Sequence, residues 1–239
     1  MNPSSAGAQL ALNLRLRDAS SFENYFVARN REPVERVQSA ARALGGAPLA
    51  PASWIYLWGE AGIGKTHLLE AACRAAHEQG QTPRYIPLGE KTSLSTALLE
   101  DVEQAALVCV DDVHAIAGDA VWEKALFALY EHLGAQGGML ILAAQASPNA
   151  SGFKLADLAT RLAAGLVYQL QPLSDAEKIS ALRLRAQRRG LTMTEEVANY
   201  LLTRFPRDTH SLFALLDKLD VATLAAQRRL TIPFLRGLE

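Results

Sequence analysis

The 239 residues carry 24 Lys and Arg against 25 Asp and Glu, a formal net charge of −1, and 49% are hydrophobic. Such a chain can bury the core of one sizeable domain or two modest ones, which excludes global disorder. Near-neutrality excludes a strong overall field for nucleic acid or an anionic membrane, and no apolar run reaches the roughly 18 residues of a transmembrane helix.

Two cysteines, Cys73 and Cys109, lie in apolar contexts without CxxC spacing and read as buried reduced thiols. The five histidines show no HExxH pairing, so histidine metal binding is not expected. The first residues lack a cationic start followed by an apolar stretch, so no secretory signal is expected. A cytoplasmic protein is the expectation.

In chain order, "MNPSSAG" reads as a loose tail, and "AQLALNLRL" (8–16) places Leu10, Leu12, Leu14 and Leu16 at strand spacing. "SFENYFVARN" is an aromatic cluster. A helix follows it, with Pro33 in the first turn and Val34, Val37, Ala40, Ala41 and Leu44 on one face. "GGAPLAPA" ends that helix. Five apolar runs then read as strands: 53–58, 84–88, 106–110, 139–144 and 166–170. Helical patterns separate them, which predicts a parallel sheet covered on both faces. From Pro172 onward only helical periodicities appear, over 175–189, 194–204 and 209–227, opened by a capping box of Ser174 and Glu177. A domain boundary is therefore expected near residue 172. The expected parts are a flexible tail 1–20, an α/β base 21–172 and a helical domain 173–239.

"GEAGIGKT" follows the first strand and opens a helix. Gly59, Gly64, Lys65 and Thr66 fit the P-loop pattern, with Gly62 inside the loop and His67 just after it. Glycines let backbone N–H groups wrap a phosphate, and the helix presents its positive end. Lys65 is expected on the β- and γ-phosphates, with Thr66 on Mg²⁺. "LVCVDD" ends a strand in Asp111 and Asp112: the first would hold the Mg²⁺ shell and the second would orient an attacking water. Gln145 ends the next apolar strand and reads either as a γ-phosphate sensor or as a loop residue with local hydrogen bonds. Arg161, by its chemistry alone, reads as a solvated helix arginine. Arg207 and His210 lie one turn apart near the start of a late helix and could face one ligand.

A P-loop, an Asp-Asp strand end and a helical C-terminal part together resemble the AAA+ ATPases. The stretches "SFENYFVARN", "WIYLWGEAGIGKTHLLEAA", "LVCVDDVHAIAG" and "LADLATRLAAGLVYQLQPLSDAEK" resemble the DnaA-related family, and "LDKLDVATLAAQRRLTIPFL" its inactivator branch. The resemblance covers nearly the whole chain. It implies an AAA+ P-loop fold: a parallel five-stranded sheet flanked by helices, with a small all-helical lid. It implies bound ADP or ATP with Mg²⁺. It places Tyr25, Phe26 and Asn30 beside the adenine, and it makes Arg161 an arginine finger acting in trans, a device worth about 10³–10⁵ in rate. The lid arginine of the family falls where this chain has His210, with Arg207 one turn away.

The same resemblance implies that "QLALNL" is a docking motif for the DNA polymerase III β sliding clamp, with Gln9, Leu10, Leu12 and Leu14 as anchors. Asn13 stands where members of the family often have Pro. The chain ends at Glu239, so a C-terminal helix-turn-helix domain, and sequence-specific DNA binding with it, are not expected. The implied function is negative regulation of replication initiation: clamp-tethered stimulation of ATP hydrolysis on the initiator DnaA. A stand-alone AAA+ ATPase or helicase loader and a non-enzymatic replication adaptor are the rival readings. No membrane partner is expected, and homo-oligomerisation stays open.

Overall fold

A computed structural model describes residues 20–43, 54–100, 102, 105–226 and 230–237. Leu10, Leu12, Leu14, Gln9 and Leu44 lie outside the described residues. The chain divides into two units. One holds the sheet and its helices up to Leu170. The other holds the helices after Gln171, with Asn24–Arg29 and Gly62–Gly64.

In the first unit, helix α1 (Arg31–Arg42) turns Val34, Val37, Ala40 and Ala41 inward, as the spacing predicts. The five strands are β1 (Trp54–Trp58), β2 (Pro83–Pro87), β3 (Leu107–Asp111), β4 (Met139–Ala144) and β5 (Leu166–Gln169). They form one parallel sheet in the order β2-β3-β4-β1-β5. The inner strands β3 and β4 are buried at every position, which is why both read as unbroken apolar runs. Edge strand β5 is partly exposed, and its Leu166 is open to solvent.

Helix α2 (Lys65–Glu78) follows β1, and the one-turn helix α3 (Ala97–Glu100) precedes β3. Helix α4 (Ala120–Gln136) follows β3 and helix α5 (Ala156–Ala163) precedes β5. Asp119 caps α4 by accepting from the N–H groups of Val121 and Trp122. The core of this unit joins Tyr56, Val108, Val110, Leu140 and Leu142 of the sheet to Trp122, Leu126 and Leu133 of α4.

In the second unit, helices α6 (Asp175–Arg188), α7 (Glu195–Arg204), α8 (Thr209–Ala226) and α9 (Ile232–Arg236) are the main elements. The capping box read at Ser174 and Glu177 is present in both directions. Thr194 and Thr231 cap α7 and α9. Leu182, Ala186, Leu201, Leu212, Leu216 and Leu235 share the core of this unit. Arg185 is buried against the Phe213 ring, 4.5 Å from its centroid. No described helix is long and apolar enough to cross a membrane.

Candidate functional site

In an open parallel sheet, ligands collect at the carboxyl ends of the strands, where the strand order reverses. Here β1 lies between β4 and β5, although β2 follows it in the chain. The loop leaving β1 is "GEAGIGKT", the residue closing β3 is Asp111, and the residue after β4 is Gln145. The register sets Trp58 opposite Ala144, and the Gly59 N–H donates to the Ala144 carbonyl at 3.3 Å. Parallel pairing therefore gathers at one sheet end residues that are up to 86 positions apart in sequence, counting from Gly59 to Gln145.

The loop needs its glycines. Gly62 and Gly64 have φ of 74° and 102°, which side-chain-bearing residues avoid. A Cβ on Gly64 would also stand 2.9 Å from the Tyr25 ring. Tyr25 is buried, and burial pushes its phenol well above the usual range.

Lys65 opens α2 and is buried. Its Nζ donates to the carbonyls of Gly59 and Glu60, both at 2.7 Å, so the ammonium sits inside the curl of the loop. Burial lowers its pKa, and the carboxylates of Asp111 and Asp112 partly oppose that. The Thr66 hydroxyl donates to Asp111 Oδ2 at 2.6 Å. The Tyr85 hydroxyl donates to the same oxygen at 2.9 Å, and the Asp112 N–H donates to Asp111 Oδ1, also at 2.9 Å. Asp111 is thus a buried carboxylate whose two oxygens are oriented by three donors.

Asp112 leaves the strand in the left-handed region, at φ 52°. Its carboxylate lies against the Gly89 backbone, where a Cβ would come within 2.8 Å of Oδ2. It stands 4.0 Å from His114 Nδ1. Burial, and then the neighbouring Asp111, raise its pKa.

These residues fit a nucleotide phosphate with Mg²⁺. The donor set is a buried ammonium in a glycine loop whose N–H groups precede a helix, beside a hydroxyl and a carboxylate. Among the described residues no group of three or more His, Cys, Asp or Glu could hold a metal alone.

The other predicted residues fall as follows. His67 faces the Ser21 carbonyl, its Nε2 at 2.9 Å. Asn30 is buried and opens α1, and Phe26 is half-buried. Gln145 is exposed at the end of β4. Arg207 is exposed and pairs with Asp175 at 3.4 Å. His210 lies in the first turn of α8. Arg161 lies on α5 with its side chain 53% exposed, 3.8 Å from Glu131 and 5.8 Å from the Tyr130 ring centroid.

Two residues that hold this region have no local sequence signal. Tyr85 reaches Asp111 only because β2 pairs with β3, setting Tyr85 opposite Cys109. Tyr56 donates to the Ala146 carbonyl at 3.1 Å, next to Gln145, and shares a hydrogen bond with Ser151 at 3.0 Å. Burial pushes its phenol up to about 12.

Comparison with known proteins gives the family. Residues 16–169 match the model of the bacterial DnaA ATPase domain, and residues 175–238 match that of the Hda lid domain. Domain III of DnaA from Thermotoga maritima has the same fold at a TM-score of 0.73 and 20% identity, over 90% of this chain and 93% of that one. AMPPCP-bound DnaA from Aquifex aeolicus superposes at 0.70 and 22% identity, over 85% of this chain. A RuvB variant from Thermotoga maritima superposes at 0.65 and 13% identity, over 91% of this chain and 70% of that one. This chain spans 64% and 65% of the length of two DnaA structures determined with AMPPCP. The chain belongs to the bacterial DnaA ATPase-domain family, and its C-terminal part matches the lid domain of the Hda type.

Proposed function

We propose that this chain is a negative regulator of replication initiation that acts on ATP held by the initiator DnaA. Its own loop binds ADP or ATP through Gly59, Gly62, Gly64 and Lys65. Tyr25, Phe26 and Asn30 are the adenine-side candidates, with His67 and Gln145 as further candidate nucleotide contacts. Thr66 and Asp111 would hold Mg²⁺, which neutralises phosphate charge. Asp112 orients water for whatever hydrolysis the chain performs itself. That DnaA from Aquifex aeolicus was solved with AMPPCP supports the choice of adenine nucleotide.

Gln9, Leu10, Leu12 and Leu14 of the tail would tether the chain to the β sliding clamp. The base domain 21–172 then presents Arg161 to the initiator, and the guanidinium stabilises charge developing on the γ-phosphate there. The observation that carries this reading is the junction of an Hda lid to a DnaA ATPase domain, with Arg161 left half-exposed on α5.

The test is hydrolysis of initiator-bound ATP with clamp loaded on DNA, comparing the native chain with Arg161→Ala and with Gln9→Ala/Leu14→Ala. Native stimulation lost in both variants supports the proposal. Full stimulation by Arg161→Ala would overturn the finger. Full stimulation by the tail variant would overturn the tether. A second reading, a stand-alone ATPase, is favoured by the joined Thr66–Asp111 pair and predicts fast hydrolysis without partners.

A further inference from the structure

Helix α5 carries Arg161 but has no cap of its own. The residue at its N-cap is Leu155, whose side chain can accept nothing. The cap comes from another helix. Glu123 of α4 is completely buried, and its Oε2 accepts from the Leu155 N–H at 2.6 Å and the Lys154 N–H at 3.0 Å. Its Oε1 accepts from the Gly118 N–H at 2.6 Å and again from Lys154 at 3.1 Å.

In a capping box, a glutamate three residues into a helix bonds the N-cap N–H of that same helix, as Glu177 does for Ser174. Glu123 does this for a helix that starts 33 residues later, counting from Glu123 to Ala156. One buried carboxylate thus joins the start of α4, the turn after β3 and the start of α5. Among the described residues, no other charged side chain is buried as fully. A charge so placed stays only where its hydrogen bonds are made, because an unpaired buried carboxylate is far too costly. These bonds are charge-assisted and directional, so they fix both the height and the heading of α5. The helix then carries that setting along roughly one and a half turns to Arg161.

We propose that Glu123 is a positioning residue for Arg161: it sets the helix that carries the guanidinium. This rests on reading Arg161 as the finger. Displacement of a reacting group by about 1 Å costs up to about 10²-fold in rate. Loosening the start of α5 therefore lowers turnover on the partner without removing any group that touches it.

The experiment measures stimulated hydrolysis of initiator-bound ATP by the full chain with loaded clamp, for native, Arg161→Ala, Glu123→Gln and both changes together. Amide hydrogen exchange is followed on the same proteins. Glu123→Gln keeps the size of the side chain but turns one acceptor into a donor facing N–H groups. The expected result is a fall in kcat on the order of tenfold or more, with an unchanged KM for initiator. Faster exchange at Gly118, Lys154 and Leu155 is expected, with sheet amides unchanged. The double variant should lose no more than Arg161→Ala alone, since both act through one group.

Native kcat in a folded Glu123→Gln, or a rise in KM alone, would overturn the proposal. Full activity of Arg161→Ala removes the finger itself, and the proposal with it. If Glu123→Gln does not fold, Leu155→Pro serves instead. Leu155 has φ −76°, which proline adopts, and the change deletes one of the donors to Glu123. The same fall in kcat is expected there, and a native kcat would count against the proposal equally.

Discussion

The Thr66 hydroxyl donates to the Asp111 carboxylate across 2.6 Å, joining the second residue of α2 to the last residue of β3. Forty-five positions separate the two in sequence. Their contact ties the helix after the glycine loop to the strand end that the proposal assigns to phosphate and cation. Lys65, one residue earlier, is held inside the loop in the same way. Such preorganisation lowers the ordering cost of binding.

Lys65→Ala should weaken ADP binding by roughly 10–100-fold, since a charge-assisted hydrogen bond contributes about 1.5–3 kcal/mol. Titration calorimetry with ADP measures this. An affinity within twofold of native would mean that the loop does not use Lys65 on phosphate.

Gly64→Ala should destabilise the chain even without nucleotide. Its φ of 102° strains an L-residue by about 1–3 kcal/mol, and the added Cβ presses on Tyr25. A second change, Tyr25→Ala, should not recover the backbone part. Thermal melting of the single and double variants separates the two costs, and an unchanged midpoint for Gly64→Ala would refute both.

The lid should show a pH-dependent cap. Glu177 has its pKa lowered, first by the Ser174 N–H and hydroxyl and then by Arg29. Its carboxylate therefore adds stability that is present above its ordinary value of 4.5 and fades as pH falls through the lower folded value. Glu177→Gln should melt below native at pH 7, and the gap should close under pH 4.5. A gap that persists at low pH would assign the effect to packing instead of charge.

Arg161→Ala should separate stability from function. The Arg161–Glu131 pair is exposed on both sides, so its loss should cost under about 1 kcal/mol in denaturant titration. The stimulated hydrolysis rate should nevertheless fall by about 10³ or more. A large stability loss with a proportionate activity loss would make Arg161 structural.

Much of the fold was legible because its signals are local. The inner strands are buried on both faces and so read as continuous apolar runs. The P-loop is legible for a similar reason, since its glycines, lysine and threonine are neighbours in the chain. The capping box at Ser174 was legible because both partners lie within one turn. Tyr85, Tyr56 and Glu123 were not legible. Each acts on a partner reached through strand pairing or helix packing; nothing in "RYIPL" or "SWIYLW" distinguishes the tyrosines from ordinary core residues, and Glu123 in "VWEKALF" reads as an ordinary solvated helix glutamate.

Local chemistry therefore determined which elements form and which loop can cradle phosphate. A period of two or 3.6 and the φ freedom of glycine act within a few residues. Strand order, by contrast, is a long-range choice. It placed β4 beside β1, and so Gln145 beside the loop, and it brought Tyr85 to Asp111. Only the packing of α4 on α5 added the Lys154 and Leu155 N–H donors to the local Gly118 donor of Glu123, because a buried charge is satisfied by whatever the fold brings within about 3 Å.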